Sequence, residues 1–181
     1  MKSTEFYKVL NSLLAERFFN AGFERVRSAT SFWHLRLDRK HLFYQILVAI
    51  TTKYDPCLGG EFLIRVNLLR KYNPYQVGME EGMVSYMQYF SKKDLEEMKG
   101  IRDGVINNLL AQTEFENEFE HMMFKTFEPL WKSGLGVPFR RDCVLGLPYL
   151  DTEDITAWGN FLAKNIGKTV KGIRNRPMFM R

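Results

Sequence analysis

The chain has 181 residues, of which 45% are apolar and 14% aromatic; this is enough to bury the core of one domain and excludes a disordered protein. Its two cysteines, Cys57 and Cys143, have no C-x-x-C spacing and are typical of free thiols in a reducing compartment. No stretch approaches the roughly 20 consecutive apolar residues of a membrane span, and no secretory signal is recognisable. We therefore expect a soluble, cytoplasmic protein without membrane contact.

The net charge of +5 is concentrated near the C-terminal end. No acidic residue follows Asp154, whereas six basic residues do: Lys164, Lys168, Lys171, Arg174, Arg176 and Arg181. Basic side chains neutralise phosphates, so this pattern favours nucleic acid as a partner. The candidate nucleic-acid-binding residues are Lys168, Lys171, Arg174 and Arg176. The alternative interpretation is the solvated end of a helix.

The first half of the chain predicts one helix followed by antiparallel strands. Apolar residues recur at three- and four-residue steps over residues 4–21, and Gly22 follows where a left-handed residue commonly ends a helix. Four strands are then predicted, mostly from alternating apolar and polar residues, over residues 23–27, 31–38, 41–53 and 61–69. The connections between them are too short for helical crossovers, so the strands are antiparallel. Residues 83–90 fit a helix or an edge strand, and the strand is slightly favoured.

The second half predicts three helices. Ser91 and Asp94 have the spacing of a capping box at the start of the first. The second is expected over residues 113–132, and the third begins at Asp151. The apolar side chains of the second helix are expected to face the core: Phe115, Phe119, Met122, Met123, Phe127 and Leu130.

These elements predict an α+β fold. An N-terminal helix and a four- to five-stranded antiparallel sheet are followed by C-terminal helices packed on one face of the sheet. We expect one domain over residues 1–181, in which residues 1–90 form the helix and sheet and residues 91–181 are mainly helical.

The order of residues in the first half resembles a bacterial family of unknown function. The residues that carry the resemblance are Ala21-Gly22-Phe23, Phe32-Trp33-His34-Leu35, Tyr44-Gln45-Ile46-Leu47 and the Phe-x-x-x-Val-Asn strand from Phe62 to Asn67. The match covers roughly residues 8–70 and consists of core positions. The resemblance implies a helix packed on an antiparallel sheet, and it implies no activity.

The polar residues of two predicted strands indicate a second candidate site. His34 and Arg36 alternate with apolar residues in one strand, and Arg65 and Asn67 do so in another. If the strands are close, these four side chains form a basic, hydrogen-bonding patch that binds a ligand or carries out catalysis. The alternative is an ordinary solvated face of an antiparallel sheet.

No complete catalytic or cofactor motif is present. Gly167-Lys168-Thr169 resembles the end of a phosphate-binding loop, but Leu162 stands where that motif needs a glycine. Glu118 and His121 lie on one helical face, yet a di-iron site needs a second such pair and further carboxylates. We therefore expect no metal and no cofactor.

The hypothesis that the sequence favours is a cytoplasmic, non-catalytic binding or interaction domain with a protein partner. One alternative is nucleic-acid binding through the basic C-terminal segment. The other is an enzyme that uses the polar sheet face. The oligomeric state is left open.

Overall fold

A computed structural model of the protein describes residues 1–26, 31–36, 43–69, 82–139 and 146–175. The helices and strands are, in chain order, α1 (Ser3–Asn20), β1 (Glu24–Val26), β2 (Ser31–Arg36), β3 (Phe43–Asp55), β4 (Gly59–Leu69), β5 (Gly82–Ser85), a 3-10 helix (Tyr86–Tyr89), α2 (Lys92–Leu110), α3 (Glu118–Gly134), β6 (Leu147–Tyr149) and α4 (Thr152–Asn175).

The described strands form one antiparallel sheet in the order β1-β2-β3-β4-β5. The short β6 also pairs with β4. It pairs with residues 60–62 of β4, whereas β5 pairs with residues 65–68 of β4. The α+β class and the antiparallel sheet are thus confirmed, while the predicted strand number and helix packing match only roughly. Residues 83–90 are strand only as far as Ser85 and continue as a 3-10 helix.

The main core lies between one face of this sheet and helices α1 and α4. Alternation along the strands places the residues of this face in rows; Trp33, Ile46 and Val66 form one of them. Phe62 of β4 joins the two helices, because its ring lies 5.1 Å from that of Phe6 in α1 and 6.3 Å from that of Trp158 in α4. One cluster of buried side chains therefore contains residues from both halves of the chain.

Two predicted end signals are confirmed. Gly22 follows α1 with a φ of 90°, a left-handed conformation that favours glycine. Ser91 and Asp94 form the capping box of α2, in which each side chain bonds the other residue's backbone N–H. None of the helices within the described ranges is long and apolar enough to cross a membrane.

The second C-terminal helix differs from its prediction. It begins at Glu118 rather than near residue 113, because Asn117 caps it by accepting a hydrogen bond from the Glu120 N–H at 3.0 Å. Of the six side chains that were expected to face the core, three are exposed instead, namely Phe119, Met122 and Leu130. Phe124 is the one residue of α3 that is fully buried.

Candidate functional site

The strand register brings the four predicted sheet residues to one face. His34 pairs with Gln45, which pairs with Asn67, so these three positions form one row across β2, β3 and β4. Arg36 and Arg65 lie at two-residue steps from this row along their own strands, on the same face. The backbone thus places the four candidates together, as the alternating pattern predicts.

This sheet face is not a purely polar, solvated surface. Asn67 is only 3% exposed, and Leu63 on the same face is also buried. The Nε atom of the half-buried Arg65 is shielded from solvent and has no hydrogen-bond partner. The side chains of His34 and Arg36 lie outside the described part of the structure. Of the four candidates, Asn67 is thus buried and Arg65 is half-buried, and the ligand-binding hypothesis stays a prediction.

Two cations of the C-terminal segment are already neutralised within the fold. Lys168 Nζ lies 2.5 Å from Asp94 Oδ1, and Lys164 Nζ lies 2.8 Å from Glu97 Oε2. Lys171 is exposed and forms no ion pair with the residues that the structure describes. The side chain of Arg174 and the whole of Arg176 lie outside them. Of the predicted phosphate ligands, Lys168 is thus engaged in holding α4 to α2.

A shallow groove of about 500 Å3 runs along α1. Its described lining residues are Thr4, Tyr7, Lys8, Asn11, Ser12, Ala15 and Arg25. The Tyr7 hydroxyl accepts a hydrogen bond from the Ile50 N–H at 3.2 Å. Among these lining residues there is no histidine, cysteine or carboxylate, the groups that most often serve as general bases. The described lining residues therefore offer two positive charges, those of Lys8 and Arg25.

A metal site and a reactive cysteine are two further candidate chemistries for the described residues. No three His, Cys, Asp or Glu side chains within the described ranges are grouped so as to hold a metal ion. Burial, together with nearby Glu120, raises the pKa of the Cys57 thiol to about 11, which makes it a poor nucleophile near neutral pH. Gly167-Lys168-Thr169 lies inside α4 and does not form a loop. Cys143 lies outside the described residues.

Helix α3 presents several large apolar side chains to solvent on one face. Phe119 is 65% exposed, Met122 is 55% exposed and Leu130 is 63% exposed. They recur at three- and eight-residue steps, which places them on one face together with the half-buried Met123. We call Phe119, Met122, Met123 and Leu130 the α3 face. The expectation that Phe119, Met122 and Leu130 point into the core is wrong.

The opposite side of α3 explains this orientation. The buried Phe124 ring lies 5.4 Å from that of Trp131 and 5.0 Å from that of Phe115, which precedes α3 in the chain, so the rings on this side cover one another. The helix is therefore apolar on two sides, and only one is covered. The sequence contains a signal that α3 has two apolar sides, because on a helix Phe124 and Trp131 lie more than a quarter turn from Phe119 and Leu130.

The segment after α3 is fixed to α2, which holds the helix in place. Arg102 donates a hydrogen bond to the Val137 carbonyl at 2.6 Å, and its guanidinium lies 4.8 Å from the centre of the Phe139 ring. Asp103 accepts a hydrogen bond from the Gly136 N–H at 3.2 Å. The α3 face is thus presented by an anchored helix rather than by a free end.

No protein-family model, curated protein or solved structure matches the chain. The resemblance of residues 8–70 to a bacterial family of unknown function therefore stays a prediction. The residues that carry it occupy a helix end and core positions, such as Gly22, Phe23 and Phe62.

Proposed function

We propose that this protein is a cytoplasmic, non-catalytic interaction domain that binds a protein partner through the α3 face. The observation that carries the proposal is the exposure of Phe119, Met122 and Leu130 on one anchored helix. Five large apolar side chains are strongly exposed among the described residues, and three of them lie here. Scattered exposed apolar residues are ordinary, but a contiguous patch marks an interaction site.

The composition of the face also supports a protein partner. Phenylalanine and methionine are enriched in the buried centre of protein interfaces. A helix with anchors at three- and four-residue steps is suited to pack against another helix or into an apolar groove. We therefore propose a partner that offers an apolar helix face of similar length.

The charges around the α3 face define the partner further. Four acidic residues precede or open α3, namely Glu114, Glu116, Glu118 and Glu120, whereas its two lysines, Lys125 and Lys132, come later and share the one carboxylate of Glu128. A matching surface has basic residues near the first turn of α3 and acidic residues near its last turn. Such complementarity adds specificity and association rate more than affinity.

The proposal is tested by changing the face without changing the fold. The tagged wild type, the double variant F119Q/L130Q and the control F19Q are incubated with lysate of the native cell, and captured proteins are quantified. Phe19 is also a strongly exposed phenylalanine, but it stands alone on α1. We expect F119Q/L130Q to capture about tenfold less partner, since one well-buried interface anchor contributes 1–2 kcal/mol or more, whereas F19Q captures as much as the wild type.

Two further readouts make this comparison decisive. Circular dichroism and the thermal midpoint are expected to be alike for the three proteins, because polar substitutions at exposed sites change stability by less than about 0.5 kcal/mol. Cross-links to the captured protein are expected from Lys125 or Lys132. Equal capture by F119Q/L130Q and F19Q overturns the proposal.

A further inference from the structure

We infer that the partner of the α3 face is a second copy of this chain, whose α3 packs antiparallel to the first about a twofold axis. This inference rests on the proposed function, because it uses the same face. It adds the identity of the partner, which follows from the charges beside the face. Twofold dimers, in which one patch meets its own copy, are the commonest protein oligomers.

The charges that flank the α3 face repeat with the period of a coiled coil. Glu118, Lys125 and Lys132 are each seven residues apart, so they lie along one flank of the helix. The two lysines are well exposed and both contact Glu128, at 2.9 and 2.7 Å. The flank is therefore acidic at the start of α3 and basic at its end.

An antiparallel arrangement makes this flank complementary to itself. With a twofold axis beside Lys125, Glu118 of each protomer is level with Lys132 of the other, because both are seven residues from the axis. Phe119 then lies close to Leu130 of the other copy along the helix. Lys125 of one protomer faces Lys125 of the other, and the hydrogen bond from each lysine to Glu128 of its own helix reduces the repulsion between them.

A parallel arrangement does not have this complementarity. It places the two copies of this flank on opposite sides of the helix pair, so Glu118 of one protomer is not beside Lys132 of the other. Antiparallel packing also sets the positive N-terminal end of each helix dipole beside the negative C-terminal end of the other.

The middle of the face brings no unsatisfied polar group into such an interface. Thr126 is the polar residue between Met122 and Leu130, and its hydroxyl donates to the Met122 carbonyl at 2.9 Å. This donor is already satisfied within the helix, so burying it against another copy leaves no unpaired hydrogen.

The size of the face sets the expected strength of the dimer. A helix of 17 residues is about 25 Å long, and one helix pair of that length buries less than the roughly 1,200–2,000 Å2 of a standard stable interface. The dimer is therefore expected to form in the micromolar range and to depend on protein concentration.

Sedimentation velocity over a concentration series tests the inference with the full chain. The wild type is expected to shift from a mass of 21.4 kDa to twice that mass as concentration rises. E118K and K132E each place like charges opposite one another, so each is expected to weaken dimerisation about tenfold. The double variant E118K/K132E restores the pairing and is expected to dimerise within about threefold of the wild type.

Controls separate this pairing from damage to the helix. K132E also removes the contact with Glu128, but lost helix stability is not recovered by adding E118K, so recovery reports the contact between copies. E96K, which reverses an exposed glutamate on α2, is expected to leave dimerisation unchanged. F119Q/L130Q is expected to be monomeric and F19Q to behave as the wild type.

The outcomes distinguish this inference from the proposed function. A chain that stays at 21.4 kDa at the highest concentration overturns the inference. So does a double variant that dimerises no better than the single ones. If F119Q/L130Q still loses capture of a different protein relative to F19Q, the proposed function stands and the second copy is not its partner.

Discussion

Lys168 Nζ lies 2.5 Å from Asp94 Oδ1, and this ion pair joins the C-terminal half of α4 to the first turn of α2. The Asp94 carboxylate also accepts hydrogen bonds from the Ser91 N–H at 2.8 Å and the Ser91 hydroxyl at 2.7 Å. Burial alone raises the pKa of Asp94, but the hydrogen bonds from Lys168 and Ser91 outweigh it and lower the pKa to about 2. The negative charge of Asp94 is thus part of the folded state.

We expect this depressed pKa to make stability depend on pH at the acidic end. A carboxyl group whose pKa falls from 3.8 to about 2 on folding stabilises the fold above 3.8, by up to about 2 kcal/mol. D94N is therefore expected to lower the thermal midpoint at pH 7 by about 4–8 °C. The difference from the wild type should shrink as the pH falls from 3.8 towards 2, and differential scanning calorimetry measures it.

The more exposed pair between Lys164 and Glu97 is the control for this prediction. Its side chains are far more exposed than Asp94, and surface ion pairs contribute 0–1 kcal/mol. K164A is expected to lower the midpoint by no more than about 2–4 °C. Equal losses in D94N and K164A, or a loss in D94N that persists at the lowest pH, contradict the assignment.

Two glycine substitutions are expected to have opposite effects on stability. Gly59, the first residue of β4, has a φ of 68°, and a Cβ there would lie 2.6 Å from the Tyr149 carbonyl oxygen. G59A is therefore expected to destabilise by at least about 2 kcal/mol. Gly104 lies within α2 with nothing within 4 Å of an added Cβ, so G104A is expected to stabilise by about 0.5–1 kcal/mol. Urea unfolding of both variants checks the signs.

The Cys57 thiol is expected to react slowly in the folded protein. Burial is the largest cause that raises its pKa from 9.0 to about 11, which lowers the thiolate fraction near neutral pH about 100-fold. The test uses a C143S variant, in which Cys57 is the one remaining thiol. Ellman's reagent should modify Cys57 at least about 100-fold more slowly in the native protein than in the urea-unfolded protein. A native rate within tenfold of the unfolded rate contradicts the prediction.

Nucleic-acid binding through the C-terminal segment is expected to be absent or weak. Deleting residues 168–181 is a poor test, since it removes the Lys168 partner of Asp94 and the buried Thr169. The triple variant K171Q/R174Q/R176Q removes charge without that contact. We expect it and the wild type to bind duplex DNA equally poorly in fluorescence anisotropy. The nucleic-acid hypothesis is supported instead if the wild type binds DNA and its affinity is more salt-dependent than that of the variant. The slope of log affinity against log salt should then differ by about 3 between the two proteins.

Local features of the fold were predictable because they depend on neighbouring residues. The alternation of apolar and polar residues along β2 and β4 determines which residues share a sheet face. The spacing of Ser91 and Asp94 marks the start of α2. Gly22 ends α1 for a reason that lies in its own backbone. The structure of the residues after Ser85 was harder to predict, since a short apolar segment can extend a strand or form a 3-10 helix according to what packs on it.

The sequence by itself thus determined the α+β class, the antiparallel strands and the apolar periodicity of α1. Only the tertiary structure decided which apolar side of α3 is covered, and it left Phe119 and Leu130 in solvent while burying Phe124. It also paired Lys168 with Asp94, 74 residues away. The physical reason is common to both cases: periodicity places side chains on a face, whereas burial and ion pairing depend on what the rest of the chain brings to that face.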